Sequence, residues 1–99
     1  MKQLTFSKKS IADIRKISEY IEVKFSLRIK SVFLEKLRKN FDYIFSSPES
    51  FPLSEYENLR KCVVTKQTSI FYKIEGIDKI YIVSVFDTRQ NQNKINKTK

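Results

Sequence analysis

The side chains that could do chemistry in this chain are overwhelmingly cations. Lys and Arg number 20 against 11 Asp and Glu, with no His, which gives a formal net charge of +9 on 99 residues. Without His the commonest general base is missing, and with it the Ser/His and Cys/His nucleophile pairs. The lone Cys62 cannot close an internal disulfide, and neither a transition-metal site nor a cofactor is expected from such a set. Cys62 sits inside an apolar run, where it reads as a small buried hydrophobe. The chemistry that remains is recognition of an anion, either nucleic acid or an acidic protein segment. Arg60, Lys61, Lys66 and Lys73, joined by Arg89, are the cations a sheet could gather. From position 88 to 99 there are four cations (Arg89, Lys94, Lys97 and Lys99) and no acid.

These cations depend for their placement on residues 59–90. The stretch holds apolar, β-branched or aromatic runs at 62–65, 69–74 and 79–86, separated by short polar breaks, which predicts three consecutive antiparallel strands. The break Glu75-Gly76-Ile77-Asp78 contains the only Gly of the chain, placed where a hairpin needs a positive φ. The expected ladder pairs 69–75 with 77–86. Because side chains alternate faces, Arg60 and Lys66 share a parity that Lys61 lacks, so one surface cannot take all of them unless a bulge intervenes.

The remaining elements must cover that sheet. Residues 3–6 alternate polar and apolar and predict a short strand. Ser7, or Ser10 with Asp13 three residues on, starts a helix carrying Ile11, Ile14, Ile17 and Ile21 at helical spacing, with Tyr20 and Phe25 nearby. A second helix over 26–45 carries Ile29, Phe33, Leu37, Phe41 and Ile44 as its apolar stripe. The join at 24–27 is short enough to make the pair an antiparallel hairpin. Residues 46–58, with Pro48 and Pro52, return the chain to the sheet, and Phe51 and Leu53 are expected to plug the edge of the core. The fold class is therefore α+β: an antiparallel sheet of about four strands, in the chain order β-α-α-β-β-β, with an N-terminal helical hairpin on one face and the other face open.

Residues 1–90 read as a single domain and 91–99 as a basic C-terminal tail. No apolar run approaches the roughly 18 residues needed to cross a bilayer, and the N-terminus shows no apolar signal region, so no membrane association and a cytoplasmic location are expected. Tyr72 reads as a hydrogen-bonded core phenol, and Asp87 as an ion-pair or turn partner. Arg89 either anchors Asp87 or meets an anionic target. Phe71 and Phe86 could act as stacking platforms for nucleic acid if they faced outward, but a core role is favoured.

The order of elements, the segment DIRKISEYI over 13–21, Pro48 and Pro52 before the sheet, Leu59-Arg60-Lys61, Ile70-Phe71-Tyr72 and Val85-Phe86-Asp87-Thr88-Arg89-Gln90 together resemble the RelE/ParE superfamily of toxins from bacterial type II toxin–antitoxin modules. The resemblance runs from Leu4 to about Lys94. It implies a small basic toxin that arrests growth and is neutralised by a cognate antitoxin, typically through a helix and an extended acidic segment laid across the toxin. Operator DNA would be met only through the antitoxin.

Two activities occur in the superfamily, cleavage of mRNA in the ribosomal A site by RelE-like members and inhibition of DNA gyrase by ParE-like members. Metal-free RNA cleavage must stabilise a negatively charged phosphorane, which cations do well. By resemblance Arg60, Lys61 and Lys66 lie where RelE-like toxins keep basic residues on the sheet, and Arg89 matches the arginine at the end of the last strand. These four would be the catalytic set of an RNase. The pattern departs after Arg89, where Gln90, Asn91, Gln92 and Asn93 replace the His or Tyr of many active nucleases and supply no useful acid or base. That departure favours ParE-like action. An inactive toxin-like binding module is the remaining alternative.

Overall fold

In a computed structural model that describes residues 2–56 and 58–89, Ser7 ends the first strand and starts the first helix. Its hydroxyl accepts the Ser10 N–H at 2.9 Å, so Ser7 is the N-cap and Ser10 is buried inside the first turn, a satisfied start for a helix whose first amides have no internal partner. The elements follow as β1 (Gln3–Phe6), α1 (Lys8–Lys24), α2 (Leu27–Ser46), a 3₁₀ turn at Pro48–Ser50, then β2 (Arg60–Val63), β3 (Thr68–Glu75) and β4 (Lys79–Asp87). Ser26 caps α2 by accepting the Ile29 N–H at 3.1 Å. Residues 91–99, the expected tail, lie outside the described residues.

The sheet order is β1-β4-β3-β2. Short turns join β2 to β3 and β3 to β4, and both pairs are antiparallel, with Thr68–Glu75 laddered against Lys79–Asp87. Gly76, at φ +69°, supplies the left-handed residue of the second turn. β1, by contrast, pairs parallel with β4. The sheet is thus mixed, because the whole helical hairpin separates β1 from the rest and so long a crossover permits a parallel neighbour that a tight turn forbids.

The core lies between the helices and one face of the sheet. Ile17 and Ile21 of α1 and Phe33, Leu37 and Ile44 of α2 pack on Cys62, Ile70, Tyr72, Ile80, Ile82 and Val85. Ile14 and Phe41 sit at its margin. Ile11 and Ile29, expected in the buried stripes, are 56% and 46% exposed because each lies in the opening turn of its helix, away from the central core positions. Of the two residues expected to plug the edge of the core, Phe51 does so, meeting Tyr72 edge-on with ring centroids 6.3 Å apart. Leu53 does not: its backbone bridges to Arg60 while its side chain is exposed.

A β-bulge in β4 decides what the open face carries. Phe71 pairs with Ser84, but Tyr72 pairs with Ile82, leaving Val83 as an extra residue. Before the bulge Ile80 and Ile82 are the buried residues; after it Ser84, Val85 and Asp87 are, and it is Val85 and Asp87 that pair with the buried Ile70 and Thr68. The change of parity turns Ser84 and Phe86 to the side away from the helices, across from Phe71 and Ser69.

Candidate functional site

On that open face the bulge and the β2–β3 turn create a cleft of about 640 Å³. Phe71, Val83 and Phe86 contribute its apolar surface, with Ser69 and Ser84 opposite the two rings and Tyr56 at one side. The Tyr56 ring stands 5.8 Å from that of Phe71. Lys61 projects from β2 with its ammonium 6.0 Å from the Phe71 centroid. Lys66 reaches the cleft from the β2–β3 turn, and Lys9 from the first turn of α1.

The turn bearing Lys66 is tightly held. Thr65 Oγ1 accepts the N–H groups of Gln67 and Thr68, each at 3.1 Å. The carbonyl of Thr68 accepts the Val64 and Thr65 amides, and that of Gln67 accepts the Thr88 amide at 2.9 Å. A lysine on a turn with this many internal bonds presents its charge from a fixed base.

Of the four cations that would make up an RNase set, the fold brings Lys61 and Lys66 together and sends Arg60 and Arg89 elsewhere. Arg60 pairs with Tyr72, on the core-facing parity. Its guanidinium donates to the Phe51 carbonyl at 2.7 Å and to the Glu49 carbonyl at 3.4 Å, fastening the segment before β2. Arg89 folds back on Asp87, with Nη2 2.8 Å from Oδ2 and Nε 3.1 Å from Oδ1, and its guanidinium lies 5.9 Å from the Phe25 ring at the end of α1. Asp87 is fully buried and also accepts from Thr68 Oγ1 at 2.7 Å and from the Arg89 amide at 2.9 Å. Burial alone would raise its pKa, but the hydrogen bonds from Arg89 and Thr68 outweigh that and hold the carboxyl below its ordinary value. The same bond raises the pKa of Arg89. Arg89 therefore anchors Asp87, one of the two roles left open for it. Lys73 stands apart, 3.3 Å from Glu75 and 5.5 Å from the Tyr81 ring.

Tyr72 and Cys62 are core residues, as expected. The Tyr72 hydroxyl donates to the Pro48 carbonyl at 2.6 Å, and burial pushes its pKa up to about 12. Burial likewise pushes the Cys62 thiol up to about 11, which keeps it protonated and unreactive at neutral pH. Phe71 and Phe86 depart from the core role favoured for them: both face the open side, half-buried. The sequence signal for this was the repeated small-x-aromatic pattern, Ser69-x-Phe71 and Ser84-x-Phe86, which pairs each ring across the sheet with a serine. Tyr56 and Lys9 carried no such signal, because only the tertiary fold brings a loop and a helix start to the same cleft.

Residues 4–92 match the model of the family described as the ParE toxin of the type II toxin–antitoxin system, parDE. The chain belongs to the ParE toxin family. This places it within the RelE/ParE superfamily that its motifs resemble. The structure of this ParE-family chain is similar to the chromosomal ParDE toxin–antitoxin system from P. aeruginosa, with a TM-score of 0.75 at 16% identity over 88% of this chain and 96% of that one. It is similar also to the YoeB/ParE toxin from Agrobacterium tumefaciens, with a TM-score of 0.65 at 14% identity over 88% and 98% of the two chains. The E. coli DinJ–YafQ complex follows at 0.59 and 10% identity over 90% and 96%. At these identities the structures share a fold and nothing narrower. No match is found among curated proteins. Among the described residues no helix is long and apolar enough to cross a membrane.

Proposed function

We propose that this ParE-family protein is the growth-arresting component of a type II toxin–antitoxin module, acting in the cytoplasm by a ParE-like, non-nucleolytic route with DNA gyrase as its target. A cognate antitoxin carrying a small acidic segment would hold it silent, complementing the +9 net charge, and operator DNA would be reached through that antitoxin. The observation that supports the non-nucleolytic route is the make-up of the open-face cleft: among the described residues its ionisable lining is Lys9, Lys61, Lys66 and the Tyr56 phenol, and the carboxylate beside Lys9, that of Asp13, is taken up by Lys9 at 2.9 Å and by the Val85 amide. Proton transfer to and from a 2′-hydroxyl and a leaving oxygen wants a group that titrates near neutrality, whereas binding wants only fixed charge. Arg60 and Arg89, which an RNase of this superfamily would need on the same surface, are committed to the Phe51 carbonyl and to Asp87.

The RelE-like alternative, ribosome-dependent mRNA cleavage, draws support from one feature. Tyr56, Lys61 and Lys66 line a single cleft, which is a phenol and two cations in reach of one phosphodiester. Pulse-labelling after induced expression in bacteria separates the readings. Early, selective loss of thymidine incorporation is the expected result. Early collapse of amino-acid incorporation, abolished by Lys61→Ala or Lys66→Ala, would overturn the gyrase reading in favour of the ribosome. Continued growth with every label unchanged would leave a toxin-like scaffold retained for antitoxin pairing.

A further inference from the structure

The turn between α1 and α2 exposes apolar side chains that neither helix uses in the core. Val23, Phe25 and Leu27, at alternate positions across the turn, are 88%, 54% and 61% exposed. The core takes Ile17 and Ile21 from α1 and resumes only at Phe33 of α2. A single exposed apolar residue is ordinary. Three gathered at one two-residue connection are a contact surface in want of a partner.

The turn is held stiffly. The Phe25 N–H donates to the Ile21 carbonyl at 2.9 Å, closing α1, and Ser26 caps α2 in the next position. Lys30 and Glu22 tie the two helices together at 2.8 Å. Behind the Phe25 ring, 5.9 Å from its centroid, lies the Arg89 guanidinium, itself fixed by the buried Asp87. Apolar side chains on a braced turn lose little conformational freedom on contact, which suits them to act as anchors.

Charge narrows the partner. Residues 23–32 hold three cations and no acid. Lys24 and Arg28, which alternate with the apolar side chains, are exposed and form no ion pair among the described residues. A strand of nucleic acid would pair these cations and leave three apolar side chains in water. An anionic lipid surface would meet Glu19 and Glu22, exposed on the last turns of α1, as well as the cations. A second copy, itself at +9, would set like charges against each other. An apolar tip flanked by unpaired cations is matched by an apolar pocket rimmed with carboxylates.

We propose that the α1–α2 turn is the anchor of this chain in a protein partner, with Phe25, Val23 and Leu27 entering an apolar pocket whose Asp and Glu rim meets Lys24 and Arg28. The inference rests on the reading of the chain as a toxin with a protein target, under which that partner is gyrase.

Two readouts test it with the full-length protein: surface plasmon resonance against purified DNA gyrase, and growth after induced expression. The double variant Val23→Ser, Leu27→Ser changes two well-exposed side chains and leaves the contact of Phe25 with Arg89 in place, so its urea midpoint should match the parent's. It should bind gyrase at least roughly tenfold more weakly, as loss of a central apolar anchor does, and should no longer arrest growth. Lys24→Glu with Arg28→Glu should also weaken binding and remove the loss of affinity that the parent shows as salt rises. Ile77→Ser, on the β3–β4 turn, should behave as the parent.

The proposal fails if Val23→Ser, Leu27→Ser binds gyrase and arrests growth like the parent. It fails also if that variant loses only the binding of phosphatidylglycerol vesicles, which would assign the tip to lipid, or only a dimer seen by sedimentation velocity, which would assign it to a second copy. A parent that arrests growth without binding gyrase would overturn the gyrase reading alone. The anchor would then stand if the double variant no longer arrested growth and fall if it still did. A parent that neither bound gyrase nor arrested growth would overturn both.

Discussion

The carboxylate of Asp13, in α1, accepts the backbone N–H of Val85 at 3.1 Å across 72 positions of sequence. The bond belongs to a set. β1 stops at Phe6 opposite Ile82, while β4 continues to Asp87. Past the end of β1, the Ser7 amide donates to the Ile82 carbonyl at 2.9 Å, the Ser7 hydroxyl to the Val83 carbonyl at 2.7 Å, and Asp13 takes the Val85 amide. The start of α1 thus does for the bulged half of β4 what a longer β1 would have done, and it fixes the strand that bears Ser84 and Phe86.

Asp13→Ala should cost about 2 kcal/mol, the worth of a hydrogen bond to a charged acceptor together with an amide left without its partner. Asp13→Asn keeps a carbonyl acceptor and should cost about half of that. Urea unfolding is the measurement, with a lower midpoint at unchanged slope. A parental midpoint for Asp13→Ala would mean that the bond contributes nothing net.

Arg89→Ala leaves the buried Asp87 carboxylate with the Thr68 hydroxyl and one amide, and the expected loss is about 3 kcal/mol. Arg89→Lys keeps the charge but not the two-pronged donor and should recover only part of it.

The pH dependence of that pair has a definite sign. The folded pKa of Asp87 lies below its ordinary value. Its contribution is therefore fully present above the unfolded value of about 3.9 and is lost as the pH falls through the lower folded value. Asp87→Asn should flatten the acid limb of a plot of urea midpoint against pH, although it lowers stability at pH 7. A variant with the parent's acid limb would place that acid sensitivity in other carboxylates.

At the alkaline end the signs reverse. Tyr72 is raised from 10.0 to about 12 and Cys62 from 9.0 to about 11. Each favours the protonated folded form, so stability is complete below the unfolded pKa and falls as pH climbs toward the folded one. Tyr72→Phe should lose about 1 kcal/mol near neutrality with the bond to the Pro48 carbonyl, and its stability should decline less steeply between pH 10 and 12. Phenolate absorbance followed through the titration should show one parental tyrosine ionising late and missing from the variant.

Gly76→Ala isolates a purely conformational cost. A Cβ at this position would find nothing within 4 Å, but φ is +69°. The expected penalty is about 1 kcal/mol, from the left-handed backbone alone. Gly76→Asn, a residue better tolerated there, should lie between the two.

What the sequence made legible follows from where local pattern and tertiary need agree. The helical periods of Ile17 and Ile21 and of Phe33, Leu37 and Ile44 and the glycine turn at Gly76 each point to one local structure, and the fold keeps them; of the two starts the sequence offers for the first helix, Ser7 and Ser10, the fold takes Ser7, and the second helix starts at Ser26 as its pattern suggests. An aromatic residue in a strand looks the same whichever face it takes, so Phe71 and Phe86 themselves do not show that they face outward, and the serine two positions before each is the one local hint of a polar face. Only the extra Val83 sets the parity of Phe86, and a bulge leaves no composition signal of its own. Arg60 and Arg89 attracted attention as cations, yet their partners are backbone carbonyls near Pro48 and a carboxylate two residues away. Sequence spacing offered the second of these as one of two roles for Arg89 and could not offer the first for Arg60.

The parallel pairing of β1 with β4 also orders events in time. Ser7 and Val83 must meet across 76 positions, so the first strand has no partner until nearly the last one has been synthesised. At the ~5–20 residues per second of ribosomal synthesis, the N-terminal strand waits seconds with its edge unmatched. The helical hairpin, whose contacts are local, can form during that interval. The open-face cleft cannot, since it needs the bulge in β4 and the start of α1 held together. A nascent chain of this protein therefore has no assembled open-face cleft for most of its synthesis, and a partner that recognised the hairpin alone would have time to engage it before the sheet is complete.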